Sequence, residues 1–373
     1  MTFFCNSLNC KNKQAFLEQQ RQGKNIARIL YLWFIMLIKN NFCLKPFNTF
    51  GIEVEAAHAA VITSVNDLHE LFEDGQLQNR KVLILGEGSN ILFTGFFDGL
   101  VLLNQMRRKK VLRETDDYML LQANGGESWS SLVDYSVDNG WYGLENLSLI
   151  PGTVGAAPVQ NIGAYGVELI DVMHSLEAFD LSSGKVVRFD SSECEFAYRS
   201  SIFKKQRKGR YFILNVTFQL SKIPKFHLEY GPLKEAFANV EPAEIELKQV
   251  SEQVKLIRRS KLPEPEELKS AGSFFKNPVI NASRYLLFQK EYPNMPAYKL
   301  PGNKFKLPAG WLIEQCGWKG KRIANVGVYQ KQSLVLVNYG KAKGKEILKL
   351  ATSIQESVKK KFAVDLEMEV NVV

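Results

Sequence analysis

A chain of 373 residues, 45% hydrophobic and 23% charged, has globular composition and the length for two or three domains. That composition excludes a disordered, collagenous or coiled-coil protein, and 24 Phe, 13 Tyr and 5 Trp supply a large core. The net charge is +9, but Lys11, Lys13, Arg21, Lys24, Arg28, Lys39 and Lys45 stand against Glu18 alone in the first 45 residues. Most of the excess is therefore N-terminal and argues for no nucleic-acid partner. Five cysteines without a C-x-x-C pair and four scattered histidines (His58, His69, His174, His227) form neither a disulfide framework nor a zinc site. A reduced, cytoplasmic enzyme without a protein-held metal is the expectation.

Ile29 to Ile38 is an apolar run, too short for the roughly 20 residues of a spanning helix. Lys39-Asn40-Asn41 follows it in place of a small-residue cleavage site, which argues against a signal peptide. Residues 1–28 are polar and show no period. One reading is an interfacial anchor with basic flanks. The other, which we adopt, treats residues 1–40 as an extension outside the fold, with Met36 as an alternative start. A chain beginning there is expected to fold and to work normally, and no stable membrane insertion is expected.

Residues 81–85 (Lys-Val-Leu-Ile-Leu) read as a buried strand entering the turn Gly86-Glu87-Gly88-Ser89-Asn90. Two glycines let the backbone approach a phosphate, although a plain β-turn reads the same way. Ile91 stands where a dinucleotide fingerprint needs its third glycine, and Ile91-Leu92-Phe93 continues as a second strand. Trp129, Leu132, Val133 and Val137 recur at helical spacing between Ser128 and Asn139, and Gly140 stops that helix. From Gly143 to Gly166 the chain holds five glycines, two prolines and almost no charge. Such a stretch suits backbone packed against a flat or anionic ligand, with main-chain N–H groups as donors.

The run IPGTVGAAPVQNIGAYG, preceded by LILGEGSN and followed by YRSSIFK, AGSFFKNP and a terminal LEMEV, resembles the UDP-N-acetylenolpyruvoylglucosamine reductases. The resemblance runs from about Leu44 to Val370. It implies an α+β protein: an FAD-binding region of the vanillyl-alcohol-oxidase (PCMH) type over residues 44–223, in two subdomains. A smaller α/β substrate domain over 224–345 follows, then a helix and strand, 346–373, that return to the active site. Gly86, Glu87, Gly88, Ser89 and Asn90, with Ile150, Pro151, Gly152, Thr153, Gly155, Ala156, Asn161, Ile162 and Gly163, would hold FAD. Some relatives carry Ser-Ser at Ala156-Ala157, so only main-chain contacts are expected there. No His or Cys lies in either glycine segment, so the implied FAD is noncovalent, with NADPH as reductant.

The resemblance also implies the chemistry. Hydride added to the enolpyruvyl ether of a UDP-sugar pushes charge into its carboxylate, and fixed cations must meet that charge. Arg199 matches the family's catalytic arginine, Ser273 its proton donor and Glu369 its third catalytic residue. On residue type alone these would be a surface ion-pair partner, a helix cap and a solvated acid. Alternation in the terminal segment puts Glu367 and Glu369 on one face of a strand, with Met368 and Val370 on the other. Tyr230, Lys261, Asn277, Tyr298, Lys319 and Gln332 would meet the UDP-sugar, Tyr298 within a loop-rich stretch, 278–305. The alternatives are another FAD-dependent oxidase of this flavin fold, which needs no such serine, and a membrane-surface protein built on residues 1–40.

Overall fold

The computed structural model describes residues 38–373. The Met36 start and all but the last residue of the apolar run lie outside the described residues. Strand β1 (Ile38–Cys43) leads to β2 (Glu55–Ile62), and helix α1 (Val65–Glu73) follows, started by a capping box between Ser64 and Asp67. Next come β3 (Val82–Leu85), the short β4 (Ile91–Leu92) and β5 (Phe97–Asn104). The sheet order is β1-β2-β5-β3, with β5 parallel to both neighbours. Almost every residue of β5 is buried, the near-continuous apolar pattern that a central parallel strand requires.

A second, antiparallel sheet follows, built from β6 (Lys109–Glu114), β7 (Tyr118–Asn124) and, beyond helix α2 (Trp129–Asp138), three further strands. The predicted helix starts at its Ser128 cap and ends at Asn139. The small-residue stretch contains only the two-residue pair β8 (Gly163–Ala164) and β9 (Val167–Glu168), and short 3-10 turns. Then come β10 (Met173–Asp180), β11 (Lys185–Asp190) and β12 (Tyr211–Ser221), giving the order β11-β10-β12-β7-β6. Trp129 of α2 packs edge-on against Phe218 of β12 at 5.9 Å in the core beneath this sheet.

Helices α3 (Gly231–Ala236) and α4 (Leu247–Lys261) precede β13 (Lys269–Ser273). Residues 278–305, read as loop-rich, instead hold β14 (Val279–Asn281), α5 (Ala282–Glu291), β15 (Tyr298–Leu300) and part of β16 (Lys304–Lys306). Tyr285, Phe288 and Tyr292 form the apolar stripe there, and Tyr285 stacks on Phe305 at 4.0 Å. Leu286 and Leu287 are exposed on the same helix, which blurs its pattern in sequence.

Helix α6 (Ala309–Gln315) leads into β17 (Arg322–Ile323), β18 (Val326–Val328) and β19 (Val335–Asn338), which join β13 as β13-β19-β18-β17. The long helix α7 (Gly344–Phe362) covers that sheet through Ile347, Leu350, Ile354 and Val358. One apolar core joins residues of the first sheet to residues 271–370, so the first and last parts of the chain share their packing. The chain then closes on itself. β20 (Asn371–Val372) pairs in parallel with β4, directly after the Gly86–Asn90 turn.

Candidate active site

The turn Gly86–Asn90 and the segment 150–156 both line a cleft of about 450 Å³, to which strands β3, β12 and β13 of the three larger sheets also contribute. Side-chain ties hold them together: Glu87 Oε2 accepts from Gly152 N at 2.9 Å, and Ser89 Oγ donates to Pro151 O at 3.2 Å. A Cβ at Gly88 (φ +66°) would fall inside the van der Waals envelope of the Phe47 carbonyl. Gly88→Ala is therefore expected to cost about 1–3 kcal/mol of stability and to lower flavin retention, checked by thermal melting and flavin content.

The N–H groups of Glu87, Gly88, Ser89 and Asn90 donate to no protein acceptor among the described residues. Consecutive free amides on a turn form a concavity suited to phosphate oxygens. Ile150, Pro151, Gly152, Thr153, Gly155, Ala156, Ile162 and Gly163 line the same cleft. Asn161 does not. It is buried, donates to Glu168 Oε2 at 2.7 Å and accepts from Ile170 N, bracing the loop behind the wall.

At one end of the cleft Arg199 Nε lies 3.0 Å from Glu369 Oε1, with side chains 20% and 13% exposed. Arg199 has φ +52°, and its Nη2 donates to Gly163 O at 2.7 Å, which aims the guanidinium. Ser273 ends β13 beside Gly272 (φ +67°) and lines the cleft, exposed to it. The residues after it pair with the terminal segment: Glu369 N donates to Phe274 O, and Lys276 N to Glu367 O. That pairing brings Ser273 and Glu369, far apart in sequence, onto adjacent strands of backbone.

The terminal acids differ from expectation. Glu367 is 71% exposed and pairs with Lys276, while Glu369 alone turns into the cleft. Only isolated bridging at Met368 and the short β20 are regular, so no continuous alternating strand imposes a shared face. Burial pushes the Glu369 carboxyl above the usual range, and Arg199, Lys204 and Lys276 pull it back.

Among the substrate candidates, Asn277 lines the cleft, and its Oδ1 accepts from Ala309 N at the start of α6. Tyr230 stacks on Tyr298 at 5.9 Å and meets Tyr165 edge-on at 6.1 Å. Burial and Tyr298 push the Tyr230 hydroxyl up to about 12. Lys306 links this cluster to the arginine end, 5.7 Å from the Tyr298 ring and 5.0 Å from that of Tyr198. Tyr230 and Tyr298 stand outside the cleft wall itself, and so do the three remaining candidates. Lys319 is exposed and paired with Glu314 at 2.9 Å, Lys261 ends α4, and Gln332 Oε1 accepts from Leu334 N within its turn.

Sequence reasoning passed over Tyr198, Gln160, Lys204 and Arg258. The first three sit inside quoted motifs, where they read as framing. Arg258 lines the cleft and, among the described residues, is tied only through Nε to Leu149 O at 3.3 Å; burial pushes it down. Its signal was a position at the edge of the α4 stripe Leu247, Val250, Val254, Ile257. Among the described residues no cluster of His, Cys, Asp and Glu could hold a metal ion.

A model of FAD-binding domains matches residues 56–190, and one of the UDP-N-acetylenolpyruvoylglucosamine reductase C-terminal domain matches 264–373. A UDP-N-acetylenolpyruvoylglucosamine reductase of Amoebophilus asiaticus is 46% identical over 338 residues, 91% of this chain and 100% of that protein. This chain belongs to the UDP-N-acetylenolpyruvoylglucosamine reductase family. A reductase of the same name from Pseudomonas putida is 44% identical over 88% of this chain and 96% of its own. A crystal structure of the Thermus caldophilus reductase, 22% identical, superposes with a TM-score of 0.60 over 88% of this chain and 97% of that one. The reductase fold is thus shown over most of the chain, an α+β architecture with an FAD-binding domain.

Proposed function

We propose that Arg199, Ser273 and Glu369 form the reaction centre of this family's reductase. The chain is an FAD-dependent oxidoreductase that reduces UDP-N-acetylenolpyruvoylglucosamine to UDP-N-acetylmuramate in peptidoglycan precursor synthesis. NADPH is its reductant. The observation carrying the residue roles is the half-buried Arg199–Glu369 pair, with Ser273 on the neighbouring segment of the same glycine-walled cleft. The sequence division into 44–223, 224–345 and 346–373 is kept as the domain proposal, and a cytoplasmic location accompanies it. Among the described residues no helix is long and apolar enough to cross a membrane.

The cleft suits FAD. Free amides at Glu87–Asn90 match a diphosphate, and the uncharged wall 150–156 matches a flat ring system. When bound, FAD supplies hydride transfer between NADPH and the enolpyruvyl double bond. Arg199 would meet the substrate carboxylate, where charge develops, with a planar donor fork already oriented by Gly163 O. Ser273 would give its proton to the carbon adjacent to that carboxylate, and the surrounding cations would ease the alkoxide left behind. Glu369 would hold Arg199 in place by its ion pair. Arg258 and Lys306 add positive charge that matches a diphosphate, and Tyr230 with Tyr298 would close over the sugar nucleotide.

Incubating the purified holoprotein with UDP-N-acetylenolpyruvoylglucosamine and NADPH should yield a product two hydrogens heavier, read by mass spectrometry. NADPH consumption without that product, passing electrons to oxygen alone, would favour the oxidase alternative. The flavin should leave completely on acid precipitation, because among the described residues no His or Cys lines the cleft. Yellow colour in the pellet would contradict noncovalent binding.

A further inference from the structure

Gln160 stands at a crossing of three segments. Its Oε1 accepts from Asn90 Nδ2 at 2.8 Å and from Lys204 Nζ at 2.9 Å. Its Nε2 lies 3.4 Å from Glu369 Oε1, the oxygen that Arg199 also meets. An amide nitrogen and an ammonium are donors only, so the carboxamide oxygen must stay on their side. A half-turn of the side chain would set NH₂ against two donors and its oxygen against a carboxylate. The orientation is over-determined.

We propose that Gln160 is a positioning residue: locked by Asn90 and Lys204, it donates an N–H to Glu369 and keeps that carboxylate turned to Arg199. The proposal rests on the catalytic reading of Glu369. It also gives a reason why the Gly86–Asn90 turn and the YRSSIFK segment meet at one side chain: both set the charge of a group remote from them in sequence.

The charge consequence follows from who faces Glu369. Arg199 and Lys204 approach from residues 198–204, Lys276 from the segment after β13, and the Tyr198 hydroxyl from beside Arg199. Lys204 in turn faces Lys276, Arg199 and Glu367, and burial with Lys276 lowers it to about 8. Burial favours the neutral carboxyl and the cations favour the ion; an N–H donated by Gln160 acts on the side of the ion. Removing that donor therefore raises the pH at which Glu369 gains its proton. Near pH 8 Lys204 gives up its charge, but its remaining N–H groups still donate to the carboxamide oxygen, so the lock weakens without being lost.

Glu369 can be titrated without turnover by infrared difference spectroscopy, the spectrum of the Glu369→Gln holoprotein being subtracted at each pH. Gln160→Met should raise the Glu369 midpoint by about one pH unit, the scale of a hydrogen bond to a charged group. The acidic limb of kcat should move with it, and KM for the UDP-sugar should change little. Gln160→Glu keeps both acceptor bonds, removes the donor and adds like charge, so it should raise the midpoint further. That variant decides the matter if Gln160→Met fails to retain flavin. Midpoints unchanged from wild type in the folded variants would overturn the proposal. A wild type that titrates as described but turns over no UDP-sugar would remove the proposed function instead.

Discussion

Replacing Ser273 with alanine is expected to leave the NADPH half-reaction at its wild-type rate and to slow the enolpyruvyl half-reaction by about 10²-fold or more. The split follows from placement. Ser273 is exposed to the cleft at the end of β13, beside Gly272, so losing its hydroxyl opens no cavity in the core. Hydride transfer from NADPH involves no proton from this side chain, whereas the carbon that gains hydride's partner charge must be protonated. Stopped-flow absorbance at the flavin band separates the two half-reactions. Equal slowing of both would assign Ser273 a structural role. Running the slow half-reaction in deuterated solvent adds a second reading: a solvent isotope effect present in wild type should change when water replaces the serine as donor.

How much of this was legible in sequence depended on whether the signal was local. The Gly86–Asn90 turn, its strand and the α2 helix follow from short-range chemistry: an apolar run into glycines, and a Ser128 cap before a 3.6-residue period. Arg199, Ser273 and Glu369 were found through motifs, but their convergence was not. It depends on the terminal residues pairing beside β4 and with residues 274–276, contacts of very high sequence separation that no local pattern encodes. The shared face expected for Glu367 and Glu369 failed for a related reason. Alternation assumes a continuous strand, and this segment pairs only in patches, leaving Glu367 to Lys276 and solvent. Lys261, Lys319 and Gln332 matched motifs whose side chains are engaged elsewhere or lie off the cleft wall. Gln160 and Lys204 were hidden because an amide between two donors becomes meaningful only once all three are in place.

Arg199→Ala is expected to lower turnover by about 10³-fold, the upper range for losing a preorganised charge donor. Two losses combine. The substrate carboxylate loses its guanidinium, and the largely buried Glu369 is left with Lys204, Lys276 and the Gln160 N–H to offset its charge. The second loss predicts a stability signature that the first does not. Glu369 is raised in the folded protein, so the native state holds this proton to a higher pH than the unfolded chain does. Its contribution to stability is therefore lost as pH rises from the unfolded value of about 4.5 through the folded one. Removing Arg199 raises the folded value further and widens that window. The Tm deficit of Arg199→Ala against wild type should be small at pH 5 and larger at pH 7.5. Adding Glu369→Gln to Arg199→Ala should recover stability at pH 7.5 without recovering activity, because the unpaired buried charge is gone while the donor is still missing. A Tm deficit independent of pH would mean that Glu369 finds full compensation elsewhere, and that the ion pair does not set its charge. Arg199→Lys separates the remaining possibilities: it keeps the charge but not the fork, so stability should return at pH 7.5 while turnover stays well below wild type.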